Sequence, residues 1–372
     1  MKNLIYLAVI VVFAACSSKN DLTVISADDF KFSYLGNKIE IFNLENENGL
    51  VCQLTNFGAR VVSLYTPDRN GKFADVVAGY GTGKDFVEKK ENYFGATIGR
   101  YGNRIGNATF EIDGIDYKLE KNNGENHLHG GGNGFHRQIW NVESSSKTEI
   151  TFSYVSADME CGYPGTINVK IKYQLTPENE LKIEYFATSD KKTVLNLTNH
   201  TYFNLKDAGA STINNHVMQI NADYYTPVDA GLIPTGRLNL VEDTPFDFRK
   251  ATRIAQRVDD PHEQLRFGNG YDHNWVLNTS NNVTILAAKV IDPESGRVME
   301  VFTNEPGVQF YGGNFLNGND IGKNSIGIGH RNAFCLETQH FPDSPNKPDF
   351  PCVILDQGEQ YYSVCIYKFS SS

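Results

Sequence analysis

The 372-residue sequence has only four Met and two Trp. It has no run of Lys or Arg, and almost nowhere do apolar residues recur at helical spacing. The missing basic stretch excludes nucleic acid and anionic membrane surfaces as partners, because phosphate contacts need a basic stripe. The formal net charge of −10 speaks for solubility and little else. There is no Gly-x-Ser-x-Gly elbow, phosphate loop, dinucleotide fingerprint or His-Glu-x-x-His, so hydrolase, nucleotide and zinc-protease readings lack their signatures. Beyond Cys16 five cysteines remain, Cys52, Cys161, Cys335, Cys352 and Cys365. An odd count without close pairing is no disulfide framework. These read as small buried hydrophobes.

The one sustained apolar run, residues 4–15, is too short for a bilayer, which takes roughly 20 residues. Lys2 before it and Ala14-Ala15-Cys16 after it give the pattern of an export signal. With Cys directly after Ala-Ala, the stretch resembles a bacterial lipoprotein signal, in which Cys16 becomes the lipidated first residue. An ordinary signal peptide is the alternative. The resulting expectation is a signal at 1–16, a polar tether at 17–30 and one domain at 31–372. The protein would be exported and lipid-anchored to the bacterial cell envelope, touching membrane only through Cys16.

Past the tether, segments alternate or run apolar over 39–44, 50–57, 60–65, 109–119, 148–156, 166–176, 181–188, 283–292, 297–303 and 361–369. Turn residues separate them, including Pro67–Gly71, Asp113-Gly114 and Glu178-Asn179. Only residues 248–258 suit a short helix. Strands at this spacing predict an all-β fold, a large antiparallel β-sandwich.

Five stretches place polar groups where strand economy would not. In 194–205, V-L-N-L-T-N-H-T-Y-F-N-L, the period of two puts Leu195, Leu197, Phe203 and Leu205 on one face. Val194, Asn196, Thr198, His200, Tyr202 and Asn204 share the other, as a cleft lining or a solvated face. In 98–105, I-G-R-Y-G-N-R-I, Arg100 and Arg104 stand among glycines, able to fork onto paired hydroxyls or to face water. In 126–132, N-H-L-H-G-G-G, His127 and His129 first suggest metal. No third ligand follows at a metal-like spacing, and the glycines fit close approach of a ligand. Asp272, in Y-D-H-N-W after Gly268-Asn269-Gly270, is either a turn former or a hydroxyl acceptor. Glu337, inside F-C-L-E-T-Q-H-F, is either an edge residue facing water or a buried carboxyl tuned toward neutrality, as a general base requires.

Taken together, I-G-R-Y-G-N-R-I, N-H-L-H-G-G, N-L-T-N-H-T-Y-F-N-L, Y-D-H-N, P-G-V-Q-F-Y-G-G-N-F (306–315) and L-E-T-Q-H-F-P-D (336–343) resemble the aldose 1-epimerase (galactose mutarotase) family. The resemblance runs from about residue 39 to 369. It implies a galactose mutarotase-like supersandwich that interconverts α and β anomers of aldohexoses such as glucose and galactose. It further implies His200 as general acid and Glu337 as general base. Arg104, His129, Asp272 and Gln309 would bind substrate, with Asn103 and Tyr202 lining the cleft. Arg100 acquires no role, and His127 departs from the family's pattern. No hydride, electron or phosphoryl group moves, so no cofactor or metal is implied, and the partner is a small sugar bound by a monomer or weak dimer. Two alternatives are a lipid-anchored carbohydrate-binding protein without activity and a hexose-6-phosphate 1-epimerase, which would want a basic pocket.

Overall fold

Strict alternation drives the largest sheet. In Ile167–Leu175 the side chains of Ile167, Val169, Ile171, Tyr173 and Leu175 are buried, while Asn168, Lys170, Lys172 and Gln174 point outward. The neighbouring Glu180–Ser189 repeats the pattern and pairs with it from Ile167↔Ser189 to Leu175↔Leu181. Nine strands join in this antiparallel sheet, with the C-terminal Gln360–Ser371 near its middle. The structure, a computed structural model, describes residues 22–372; the expected signal and Cys16 lie outside them.

A four-stranded sheet over Ile41–Glu45, Val51–Thr55, Arg60–Pro67 and Phe73–Asp75 and a five-stranded sheet complete the main layers. One apolar core joins all three: Leu54 and Leu64 from the four-stranded sheet, Ile171 and Ile183 from the nine-stranded one, Trp275, Phe310 and Leu336 from the five-stranded one. The fold is an all-β antiparallel sandwich, as expected. The Asp113-Gly114 hairpin also forms: Ile112 pairs with Ile115, and both turn residues take positive φ, the conformation a tight two-residue loop requires.

Three expectations need correction. Residues 248–258 form no α-helix, only a short strand at Thr252–Arg253 and a 3-10 turn at Ile254–Gln256. Among the described residues the α-helices are α1, Gly83–Glu88, and α2, Glu263–Gly268. Thr82 caps α1 by accepting the Asp85 N–H, a local signal that periodicity overlooks in so short an element. The tether does not extend to residue 30. The Ile25 N–H donates to Gln53 Oε1 (3.0 Å), and Phe30 is buried against Phe86 and Ile39.

The third concerns 194–205, which is three short strand pieces and not one strand. Leu195, Leu197, Phe203 and Leu205 do enter the core. The opposite face divides. His200 and Tyr202 reach a pocket, whereas Asn196 donates to the carbonyls of Gly102 and His340, and Asn204 to those of Ser211 and Asn332. These amides satisfy backbone that the broken strand leaves unpaired.

Candidate active site

Seven strand pieces position the pocket: β1 (Ala96–Ile98), β2 (Arg104–Ile105), β3 (Thr198–His200), β4 (Tyr202–Phe203), β5 (Asp272–Leu277), β6 (Gly307–Tyr311) and β7 (Cys335–Gln339). β5, β6 and β7 are neighbours in the five-stranded sheet, with Asp272 opposite Tyr311 and Gln309 opposite Glu337. Their alternation sends Trp275, Val308, Phe310 and Leu336 into the core. The opposite face carries Asp272, Gln309, Tyr311, Cys335 and Glu337. From that face Asp272, Tyr311 and Glu337 form the floor of a cavity of about 620 Å³, walled by Phe267 of α2 and by the loops that hold Tyr93, Asn103, Asn123, His129, Gly231 and Phe315.

His200 comes in from β3, which pairs with β1 through His200↔Ala96. Its Nε2 lies 3.6 Å from Glu337 Oε1, with both side chains nearly sealed from water. Burial pushes His200 down to about 3 and pushes Glu337 well above the ordinary carboxylate range, the latter helped by the nearby charge of Asp272 and opposed by Arg104. Both shifts favour the uncharged forms. The two residues that the resemblance pairs as acid and base are thus brought face to face.

Arg104 projects from β2. It donates from Nε to Asn123 Oδ1 (3.0 Å), and its Nη1 is 3.7 Å from Asp272 Oδ2. Burial raises Asp272, while Arg104 and a bond from Gln309 Nε2 to Asp272 Oδ1 (2.7 Å) offset that rise. Gln309 therefore stands behind Asp272 and fixes it, and the cavity wall proper does not include it. Asn103 and His129 are locked together. The His129 N–H donates to the Asn103 carbonyl (3.0 Å), and the Asn103 N–H donates to His129 Nδ1 (3.1 Å). With Nδ1 accepting, the neutral ring carries its proton on Nε2. That nitrogen is a donor to a hydroxyl oxygen.

His129, His200 and Glu337 do bring three ligand-type atoms within 4.8 Å of one another. The tautomer set by Asn103 leaves His129 no lone pair for a metal, so the donor set fits a sugar better than an ion. His127 contributes nothing here. Its Nδ1 is tied to the Glu120 carbonyl (2.8 Å) and its ring packs edge-on against Tyr163. Arg100 is buried and donates to carbonyls of Ser156, Tyr163, Pro164 and Gly165, holding a loop together. Gly130 serves backbone and not ligand: its φ is +81° and a Cβ would fall 1.9 Å from the Gly99 carbonyl oxygen, while Gly131 and Gly132 lie against the Glu120 side chain.

Sequence reasoning missed Tyr93, Glu91, Asn123, Phe267, Tyr311 and Phe315. Tyr93 matters most. Its ring packs on His129 (4.8 Å) and stacks over His200 (5.7 Å, 21°), opposite Tyr202 (4.8 Å, 23°), so the imidazole is sandwiched between two phenols. Only the aromatic character of Asn92-Tyr93-Phe94 beside Gly95 hinted at it. Among the described residues Arg104 is the one Lys or Arg in the cavity wall, and it is already engaged. That gives a sugar phosphate no basic seat.

The family model for aldose 1-epimerase matches residues 40–368. A galactose mutarotase of Homo sapiens is 42% identical over 335 residues, covering 90% of this chain and 95% of its own. An aldose 1-epimerase of Escherichia coli strain K12 is 36% identical over 339 residues, covering 90% and 96%. Among solved structures, a GalM/aldose epimerase homologue from C. elegans gives a TM-score of 0.83 at 32% identity, covering 90% of this chain and 99% of that one. The galactose 1-epimerase of Lactobacillus acidophilus NCFM gives 0.80 at 27%, covering 92% and 97%.

The electrostatics of the floor can be tested directly. Asp272→Asn removes the charge that helps raise Glu337, so Glu337 should titrate at lower pH in the variant, followed by carboxyl ¹³C NMR. An unchanged midpoint would mean burial alone sets it.

Proposed function

The chain belongs to the aldose 1-epimerase family and is an enzyme that interconverts α and β anomers of free aldohexoses, and we propose that His200 and Glu337 carry the reaction. The observation behind this assignment is the buried 3.6 Å pair at the pocket floor. O1 and O5 of a pyranose are both bonded to C1, so two groups this close can serve both oxygens.

When a sugar enters, its hydroxyls and the charge of Arg104 restore polarity around the pair, and the shared proton moves to His200. His200 then gives the Nε2 proton to O5 as the C1–O5 bond breaks. Glu337 takes the proton from the O1 hydroxyl as C1=O1 forms. Rotation about C1–C2 turns the other carbonyl face to O5. O5 then attacks C1 and returns its proton to His200, while Glu337 returns its proton to O1. Each positioned acid or base contributes about 10²–10⁴ in rate. Arg104, His129 and Asp272 hold the remaining hydroxyls so that the aldehyde rotates without being lost to water. Gln309 keeps Asp272 aimed, Asn103 sets the proton of His129, and Tyr202 backs the imidazole.

At the other end of the chain, the signal at 1–16 would leave Cys16 lipidated. A short tether beginning at residue 17 then carries one catalytic domain on the bacterial envelope, where glycosidases release a single anomer. The export signal supports this placement.

Polarimetry on freshly dissolved α-D-glucose and α-D-galactose should show relaxation faster than buffer, lost in His200→Asn. Glu337→Gln should abolish turnover with sugar binding near normal; equal loss of binding would make Glu337 a ligand only. The pH profile follows from the shared proton. Activity requires one proton on the pair. The acid limb of kcat/KM, where a second proton adds, should lie near the depressed His200 value of about 3. The alkaline limb should lie above the ordinary carboxylate range, where Glu337 empties. An acid limb near 6.5 would contradict this assignment. Labelled palmitate should enter the full-length protein and not Cys16→Ser; an unlabelled wild type would indicate an ordinary signal or none.

A further inference from the structure

His200 is touched at both nitrogens by one strand. From β7, Glu337 Oε1 faces Nε2 at 3.6 Å, and two residues earlier Cys335 Sγ lies 3.3 Å from Nδ1. The period of two puts both side chains on one face of the strand. Cys335 is fully buried opposite Tyr311 and lies outside the cavity wall, so it meets the catalytic ring and not the sugar. Tyr93 and Tyr202 close the two ring faces, while His129 and Tyr311 stand edge-on. The ring therefore has one orientation, with Nδ1 toward sulfur.

The proton cycle makes a specific demand on Nδ1. An imidazole that donates and then re-accepts at Nε2 must keep its other proton on Nδ1 throughout. Were the Cys335 S–H to donate to Nδ1, the neutral ring would carry its proton on Nε2 and could take nothing back from O5. In many hydrolases a carboxylate accepts the Nδ1 hydrogen and stabilises the imidazolium. A thiol sulfur is a weak, uncharged acceptor. It fixes the tautomer without holding the charge, so His200 remains ready to give its proton away.

We propose that Cys335 is a positioning residue for the anomer exchange: its sulfur accepts the Nδ1–H of His200 in every protonation state of the cycle and keeps Nε2 as the working nitrogen. This rests on the acid and base roles given above for His200 and Glu337.

The test is Cys335→Ala against Cys335→Ser, with ¹⁵N NMR of His200 in the wild type and both variants. Alanine removes the acceptor, so kcat should fall by roughly tenfold or more with KM near normal, as for other groups that orient a working imidazole. Serine, an acceptor of similar size, should restore most of it. The wild-type spectrum should show Nδ1 protonated and Nε2 bare in the neutral ring, and alanine should give a mixture of tautomers. Wild-type kcat in Cys335→Ala, no recovery in Cys335→Ser, or a wild-type neutral ring protonated at Nε2 would each overturn the proposal. The NMR arm needs no turnover. A wild type with the expected tautomer but no mutarotation would overturn the functional roles and leave the geometry standing.

Discussion

The site depends on desolvation. His200, Asp272 and Glu337 all stand on surfaces from which water has been removed, and each is pushed toward its uncharged form. An isolated buried carboxylate is costly, and this sandwich accepts several polar groups because they face one another. Arg104 offsets Asp272, Gln309 bonds it, and Glu337 faces His200 at 3.6 Å. Remove the surrounding core and the same residues would be ordinary surface groups with ordinary affinities for protons.

The sheet supplies that environment through its simplest property. Successive side chains on β5, β6 and β7 alternate between the apolar core and the opposite face, so each strand serves stability and chemistry at once. Trp275, Phe310 and Leu336 hold the strands in register. That register sets Gln309 beside Glu337 and Asp272 beside Tyr311. Precision at the floor comes from packing on the far side of the same strands. The loop residues Asn103 and His129 reach comparable precision by a different route, a reciprocal pair of backbone-anchored hydrogen bonds.

Much of this could be read from the sequence. Alternation gave the all-β fold. The polar insertions at His200, Asp272 and Glu337 stood out because nothing in a strand's own economy asks for them. The failures are equally physical. Asn196 and Asn204 read as ligand-facing amides because a continuous strand was assumed; the chain breaks there, and the amides pair with orphaned carbonyls. The glycines after His129 suggested room for a ligand, whereas Gly130 makes room for the backbone at Gly99 and the next two for the Glu120 side chain. Gln309 carries the right chemistry but stands one layer back. Tyr93 and Phe315 reach the cavity from loops, where no periodicity points inward, and single aromatics carry no signal of direction.

The 3.6 Å gap at the floor has a consequence for the whole turnover. On the proposed roles the pair would begin with one proton, hold one while the sugar is open, and end with one. No hydron would then have to be drawn from bulk water or handed to it. Buffer species have no step to assist. On those roles, external acidity between the two limbs of the pH profile changes neither what the pair holds nor what it must exchange.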